Sequence, residues 1–358
     1  MKKAYLALAD GTIFEGQHFG FDKSTYGELV FTTNMTGYLE TLTDKSYYGL
    51  IVLQTFPLIG NYGYISEDLE SRNIHLFGYI VRDFCDSPSN FRSQATIEEF
   101  LIKNEIPGIA GIDTRKITKL IRKSGIQNAY LTTDKSSIDF DKIKAFEIGE
   151  CVSKVSVKLP ESHSVPKPVA KIALLDYGYK ENILRELQKR NLDVTVYPHD
   201  TKIDRIIADK CDGVILSNGP GDPAVNVEAI DNIKEMVKTD IPIFGICLGH
   251  QLMALAHGFK TSKLKFGHRG ANQPVLDKQT GKVFITSQNH GYAVDNATVD
   301  DAIAEVWFTN LNDGSSEGIV YKNKDIMATQ FHPEACSGPL DMNHLFEKFI
   351  GQMRNKKE

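Results

Sequence analysis

The chain has 358 residues, of which 41% are hydrophobic and 24% are charged, and its formal net charge is −5. This length predicts two domains, each able to bury a core, although one large domain is also possible. The acidic balance leaves no basic surplus to hold a phosphate backbone, so it argues against nucleic-acid binding.

The cysteines and the apolar runs indicate the cellular setting. Five cysteines are scattered along the chain: Cys85, Cys151, Cys211, Cys247 and Cys336. An odd, sparse set without a Cys-x-x-Cys pair argues against disulfides and against a zinc site. The apolar stretch at 4–9 is too short for a signal peptide, and nothing reaches the roughly 18 residues that span a membrane. We therefore expect a cytoplasmic protein without membrane contact.

The first half of the chain has the pattern of β-strands. Apolar and polar residues alternate around the Asp-Gly pair at 10–11, which is a hairpin signal. Residues 28–33 and 49–56 also read as strands, whereas 114–124 has the apolar stripe and end signals of a helix. These patterns predict a β-rich α/β domain over residues 1–151.

The second half alternates between short apolar strands and helices. A segment at 152–169 carries three of the prolines and reads as a linker. After it, strands and helices follow one another, which implies a parallel sheet covered by helices on both faces. We expect residues 170–358 to form this α/β domain, with a doubly wound, mostly parallel sheet.

The segment Gly245-Ile246-Cys247-Leu248-Gly249 lies between a predicted strand and a predicted helix. It matches the nucleophile-elbow pattern, with cysteine in place of serine. The glycines allow a sharp turn, and the helix N-terminus favours a thiolate. The alternative is that Cys247 is a small buried hydrophobic residue. The strand before it, the helix after it and the segments below argue for the nucleophile.

Two further segments supply the chemistry that a cysteine nucleophile needs. His332 has an imidazole suited to proton transfer near pH 7, and Glu334 projects to the same side of an extended backbone, where it can orient the ring. The loop 217–223 follows a strand and has unobstructed amides that can donate to an oxyanion. Taken alone, His332 and Glu334 could also be a surface His–Glu pair. The loop 217–223 could likewise be an ordinary turn between a strand and a helix.

Together, GICLGHQ, FHPEA and SNGPGDP resemble the class I, or triad, glutamine amidotransferases. The resemblance implies that Cys247 attacks the side-chain amide of glutamine and forms a γ-glutamyl thioester that water then hydrolyses. It implies that His332 is the acid and base and that Glu334 orients it. The backbone amides of Gly219 and Leu248 would hold the oxyanion.

Four other segments resemble the small chains of carbamoyl-phosphate synthetase: 36–47, 111–115, 266–272 and 287–293. This resemblance covers essentially the whole chain. Only two departures stand out, Lys45 in place of a proline and Cys336-Ser337 in place of Ser-Pro. The resemblance implies that eight residues bind glutamine: Ser46, Gly219, Gly221, Leu248, Gln251, Asn289, Gly291 and Tyr292.

The chain has no phosphate-binding loop and no metal-binding motif. We therefore expect no cofactor and no metal in it. The resemblance implies a separate large chain, which would bind ATP and Mg²⁺ and make carbamoyl phosphate for arginine and pyrimidine biosynthesis. The N-terminal domain would contact that partner, as a heterodimer or a larger assembly of heterodimers. Which pathway controls the protein is left open.

Two other functions compete with this interpretation. One is a different amidotransferase or a γ-glutamyl hydrolase, against which the N-terminal domain argues. The other is a non-catalytic binding protein that has lost its chemistry, against which Cys247, His332 and Glu334 argue. His250 and His268 are interpreted as hydrogen-bonded structural residues, and Cys336 as a packed small residue. His290 is left open between a structural and a substrate-binding role.

Overall fold

The computed structural model describes residues 2–354. It divides into two compact units, Met1–Gly149 and Glu150–Glu358. None of the helices within residues 2–354 combines the length and the apolar character that crossing a membrane requires.

The first unit is built mainly of strands. Its strands are β1 (Lys3–Leu8), β2 (Ile13–Gly20), β3 (Thr25–Thr32), β4 (Leu50–Gln54), β5 (Leu58–Ile59), β6 (Gly78–Ile80), β7 (Asp83–Phe84), β8 (Pro107–Ala110) and β9 (Gln127–Thr132). Its helices are α1 (Tyr38–Thr43), α2 (Ile97–Lys103), α3 (Thr114–Ser124) and α4 (Phe140–Ala145). Seven strands close on themselves in the order β1-β2-β8-β6-β4-β3-β9, and β5 pairs with β7.

Local sequence explains the predicted pieces of this unit. The hairpin of β1 and β2 turns at Gly11, which has a φ of 92°, a conformation that glycine adopts without strain. Helix α3 begins after Asp113, whose carboxylate accepts a hydrogen bond from the amide of Lys116 at 2.9 Å. It ends before Gly125, also at positive φ. The hairpin and the helix therefore form where the sequence predicts them.

The second unit alternates strands with helices. Its strands are β10 (Glu161–His163), β11 (Ala170–Asp176), β12 (Leu192–Pro198), β13 (Gly213–Leu216), β14 (Ile243–Ile246), β15 (Thr261–Asp277), β16 (Val283–Val294), β17 (Ala304–Asn310), β18 (Ser316–Tyr321) and β19 (Ile326–Thr329). Its helices are α5 (Val152–Val155), α6 (Glu181–Lys189), α7 (Ile203–Ala208), α8 (Val227–Met236), α9 (Leu248–Ala256) and α10 (Leu345–Arg354).

Ten strands of this unit form one sheet in the order β10-β12-β11-β13-β14-β19-β18-β17-β15-β16. Only the run from β12 to β19 is parallel. The other pairings are antiparallel, including the long hairpin of β15 and β16. The prediction of a mostly parallel sheet is therefore wrong for half of it. Period-2 patterns within single strands do not reveal which neighbour a strand chooses.

Helices cover the parallel part of this sheet on both faces. On one face, Val214 and Leu216 of β13 pack with Ile233 of α8 and Leu252 of α9. On the other face, β13 and β14 pack with α6 and α10, and Phe244 lies against the rings of Phe346 and Phe349. Alternate residues of each strand thus enter two separate cores.

The segment predicted as a linker, 152–169, has some regular structure. It contains the short helix α5 and the strand β10, which pairs antiparallel with β12 at the edge of the sheet. Compact packing assigns the whole segment to the second unit.

Gly249 offers a test of the packing between α9 and β13. A Cβ at this position would lie 2.2 Å from the carbonyl oxygen of Leu216. We expect Gly249→Ala to destabilise the second unit by about 1–3 kcal/mol, because backbone must move. The matched change Gly351→Ala in α10 meets nothing within 4 Å and should be neutral or stabilising by about 0.5–1 kcal/mol.

Urea unfolding followed by fluorescence measures this difference. Trp307 is the single tryptophan, it is buried, and it lies in β17 of the second unit. Equal unfolding midpoints for the two alanine variants would contradict the argument from close packing.

Candidate active site

Cys247 lies in a sharp turn between β14 and α9. Its backbone has φ 54° and ψ −102°, a strained combination for a residue with a side chain. A Cβ at Gly245 would lie 2.9 Å from the carbonyl oxygen of Gly249. The backbone on the two sides of the cysteine therefore packs too closely for a side chain at Gly245. The amide of Cys247 donates to the carbonyl of Thr329 at 2.8 Å, which ties the turn to the end of β19.

His332 and Glu334 form a buried pair directly after β19. His332 Nδ1 lies 2.6 Å from Glu334 Oε1, and the two side chains are at most 2% exposed. Burial opposes a charged ring, but the Glu334 carboxylate and the Cys247 sulfur raise the pKa of His332 to about 10. Since Glu334 occupies Nδ1, Nε2 is the nitrogen available to exchange a proton with the Cys247 sulfur.

Lys180 completes the charge balance behind this pair. Its ammonium lies 3.3 Å from Glu334 Oε1 and donates to the carbonyl of Ala335 at 2.7 Å. Burial would raise the pKa of Glu334, but His332 and Lys180 hold it below its ordinary value. Asn182 donates to the backbone carbonyl of Glu334. The carboxylate is thus charged and fixed in place.

The Cys247 sulfur contacts polar groups from two other segments. As a thiol, it donates to the carbonyl of Asn289 at 3.6 Å, and it accepts from Gln330 Nε2 at 3.6 Å. Gln251 Nε2 in turn donates to Gln330 Oε1 at 2.9 Å and to the carbonyl of Tyr292 at 2.7 Å. Strand β16 and the first turn of α9 therefore meet around the sulfur.

The predicted oxyanion donors lie on neighbouring elements. Leu248 is the first residue of α9, so its amide has no acceptor within the helix. A Cβ at Gly219 would lie 2.2 Å from the carbonyl of Tyr177 and 2.7 Å from Leu248 Cδ2. Only glycine fits there, and its backbone therefore approaches the start of α9. Gly221 has a φ of 86° in the same loop.

The remaining predicted glutamine-binding residues divide between the two units. Gly291 lies in β16, where a Cβ would approach Arg269 Nη2 at 3.1 Å. Ser46 lies in the first unit, in a short turn where its amide donates to Asp44 Oδ1 at 2.9 Å. The contacts of the second unit join Cys247 to Asn289 directly and to Gln251 and Tyr292 through Gln330. The glutamine-binding roles, including that of Ser46, stay predictions.

His268 and His290 lie close together in the second unit. Ligand atoms of His268, His290 and Glu317 lie within 4.8 Å of one another, close enough to hold a metal ion. They also bond within the protein, since His268 Nε2 lies 3.0 Å from Asp313 Oδ2 and His290 Nδ1 donates to the carbonyl of Tyr292 at 2.7 Å. The cluster is therefore satisfied largely by protein groups.

His250 differs from its predicted description. It is fully buried, and neither ring nitrogen has a hydrogen-bond partner within residues 2–354. Burial lowers its pKa to about 3, so the ring is neutral near pH 7. The prediction of a hydrogen-bonded structural histidine is wrong in this respect. The spacing of apolar residues in α9 predicts which side chains are buried, but not which groups surround them.

Sequence reasoning missed three residues that contact Cys247 or the segment of His332 and Glu334: Lys180, Asn182 and Gln330. A signal for the first two existed, because they closely follow β11, and ligands and polar groups gather at the carboxyl ends of parallel strands. Gln330 stands beside FHPEA, but nothing in its type or spacing indicates a contact with sulfur.

The site belongs to a known class of domain. Residues 173–352 match the family model described as glutamine amidotransferase class-I. A solved structure of a glutamine amidotransferase from Thermotoga maritima is 20% identical with a TM-score of 0.39. The match covers 52% of this chain and 85% of the chain in that structure.

The first unit shows which kind of glutamine amidotransferase this chain resembles. Residues 6–131 match the CPSase domain of the carbamoyl-phosphate synthase small chain. A carbamoyl phosphate synthase small chain from Bacillus cereus is 47% identical over 99% of this chain and 97% of its own length. One from Clostridium perfringens is 47% identical over 97% of this chain and 99% of its own length. The chain belongs to the family of carbamoyl-phosphate synthase small chains.

The raised pKa of His332 predicts a pH-dependent contribution to stability. Because its folded pKa of about 10 exceeds the unfolded value of about 6.5, protonated His332 stabilises the fold fully below about pH 6.5. This contribution is lost as the pH rises through about 10. The difference in unfolding free energy between the wild type and His332→Asn should therefore fall across this range.

Urea unfolding at a series of pH values measures that difference. His344→Asn is the control for losing a histidine, because His344 is exposed on the same unit. A difference between the wild type and His332→Asn that stays constant from pH 6 to 10 would refute the buried ion pair.

Proposed function

We propose that this chain is the glutaminase component of carbamoyl-phosphate synthase. The observation that carries the proposal is the buried group of Cys247, His332 and Glu334, with the cysteine in a strained turn at a helix N-terminus. Family membership indicates which enzyme accepts the ammonia, because the relatives from Bacillus cereus and Clostridium perfringens are carbamoyl phosphate synthase small chains.

Before the attack, the proton that Cys247 and His332 share lies on His332 Nε2, so the sulfur is a thiolate. The sulfur attacks the side-chain carbonyl carbon of glutamine, and the carbonyl oxygen becomes an oxyanion. His332 then gives its proton to the amide nitrogen, the C–N bond breaks, and ammonia leaves. Water, deprotonated by His332, attacks the resulting thioester. Glutamate is released, the sulfur leaves as a thiolate, and the proton stays on His332.

Two finer features of the fold belong to this proposal. The strained turn at Cys247 acts as a nucleophile elbow, and the sheet is doubly wound because the helices between β11 and β14 lie on both of its faces. The amides of Gly219 and Leu248 hold the oxyanion, because helix and loop backbones meet there without a side chain between them. Such preorganised donors commonly contribute about 10²–10³ in rate.

Glutamine itself is bound by the residues around the sulfur. Asn289, Gly291 and Tyr292 of β16 form one side, and Gly221 contributes from the loop after β13. Both Nε2 hydrogens of Gln251 already serve protein oxygens, so Gln251 acts on glutamine through its Oε1. Ser46 of the first unit is the remaining residue that the family resemblance assigns to glutamine.

The partner is the carbamoyl-phosphate synthase large chain. We propose that it binds ATP and Mg²⁺, receives ammonia through a protein tunnel and makes carbamoyl phosphate from bicarbonate for arginine and pyrimidine biosynthesis. Delivery inside protein keeps ammonia unprotonated and therefore nucleophilic. The first unit contacts this partner. All five cysteines are free, which agrees with a cytoplasmic setting.

Replacing the nucleophile tests the glutaminase assignment. We expect Cys247→Ser to lower glutamine hydrolysis by several orders of magnitude, because the members of a catalytic unit fail together. Glutamate release measures it, and Cys85→Ser in the first unit serves as the control. Glutamine hydrolysis at the wild-type rate in Cys247→Ser would eliminate the assignment.

Reconstitution tests the acceptor. With the large chain, bicarbonate and ATP, the wild type should support carbamoyl phosphate formation from glutamine. The complex that contains Cys247→Ser should instead require free ammonium salts, because the chemistry on the large chain is untouched. If glutamine hydrolysis proceeds but no carbamoyl phosphate forms with either nitrogen source, the amidotransferase serves a different acceptor.

A further inference from the structure

Gln330 places a buried amide against the proposed nucleophile. It is fully buried, and its Nε2 lies 3.6 Å from Cys247 Sγ. We propose that the Gln330 amide stabilises the ionised sulfur of Cys247 and couples it to Gln251. This inference rests on the proposed glutaminase function and adds a positioning residue to it.

The orientation of both amides follows from their neighbours. The carbonyl of Tyr292 can only accept, so the Gln251 atom 2.7 Å from it is the nitrogen. That nitrogen also donates to Gln330 at 2.9 Å, so the Gln330 atom there is the oxygen. The nitrogen of Gln330 is therefore the atom that faces the sulfur. One backbone carbonyl thus fixes the direction of the whole chain of hydrogen bonds.

The hydrogen bonds of the sulfur to Asn289 and Gln330 respond oppositely to its ionisation. A thiol can donate to the carbonyl of Asn289, but a thiolate has no proton to donate there. The bond from Gln330 persists and strengthens, because an ionised acceptor binds an N–H donor more strongly than a neutral one. Gln330 therefore favours the ionised sulfur, whereas the Asn289 carbonyl favours the thiol.

The hydrogen bond between Gln251 and Gln330 links the bound substrate to the sulfur. Gln251 is proposed to contact glutamine through its Oε1, and its nitrogen holds Gln330 in place. Glutamine that orders Gln251 therefore also orders the donor on the sulfur. The nucleophile is thereby best prepared when the site is filled, which limits its reaction with other electrophiles.

Alkylation of Cys247 by iodoacetamide in the full chain tests this inference. Mass spectrometry of the peptide that contains Cys247 follows its rate from pH 5 to 10, and circular dichroism checks folding. Gln330→Met keeps the length but removes the donor. We expect its alkylation rate at pH 7 to fall about 10- to 100-fold, as for loss of a hydrogen bond to a charged group, and its pH profile to move upward.

A second variant and a matched control sharpen the test. Gln330→Glu keeps the shape and places an anion against the sulfur, so its alkylation should be at least as slow. Gln188→Met makes the same change on α6 and should behave like the wild type. Gln251→Met should slow alkylation less than Gln330→Met does, because it only loosens the donor.

The outcomes separate this inference from the proposed function. If folded Gln330→Met or Gln330→Glu alkylates at the wild-type rate and with the wild-type pH profile, the role of Gln330 is overturned while glutamine hydrolysis by the wild type stands. If the wild type itself releases no glutamate from glutamine in the complex with the large chain, the proposed function fails first.

Discussion

The buried charges around Glu334 set the conditions for everything else in the site. Lys180 and His332 can carry positive charge there, and Glu334 and Cys247 can carry negative charge. Lys180 neutralises Glu334. The remaining pair of imidazole and thiol then shares one proton, and its net charge is zero whichever group holds that proton. Passing the proton between them does not add charge to a buried site, where unbalanced charge is costly.

In the proposed reaction, this balance lets the His332 ring act both as a base and as an acid. Glu334 fixes Nδ1, so proton transfer is confined to Nε2 on the side of the sulfur. Without Lys180, the carboxylate would be an uncompensated anion in the interior and would bind the ring proton more tightly. Its ammonium also lowers the pKa of His332, opposing the upward effect of Glu334. Lys180 therefore keeps the imidazolium able to release its proton.

Much of this arrangement follows from the sequence, and the reasons are physical. GICLG, FHPEA and SNGPGDP lie at or just after the ends of β14, β19 and β13, three strands of the parallel run whose carboxyl ends share one edge of the sheet. Their convergence was therefore predictable. The antiparallel half was not, because the alternation within β15 to β18 is compatible with several partners. Lys180 and Gln330 were missed because their roles depend on neighbours distant in sequence.

The antiparallel half of the sheet contributes β16, which contacts both Cys247 and Gln251. The amide of His332 donates to the carbonyl of Ser287 at 2.9 Å, so the segment that carries the proposed acid–base residue pairs directly with β16. The same strand places Asn289 against the Cys247 sulfur and Tyr292 against Gln251. These contacts are made by backbone carbonyls, which point alternately to the two edges of a strand, so a shift of β16 by one residue would direct them away from Cys247 and Gln251. The register that binds the His332 segment therefore also sets the contacts of the proposed nucleophile, and the two cannot be adjusted independently.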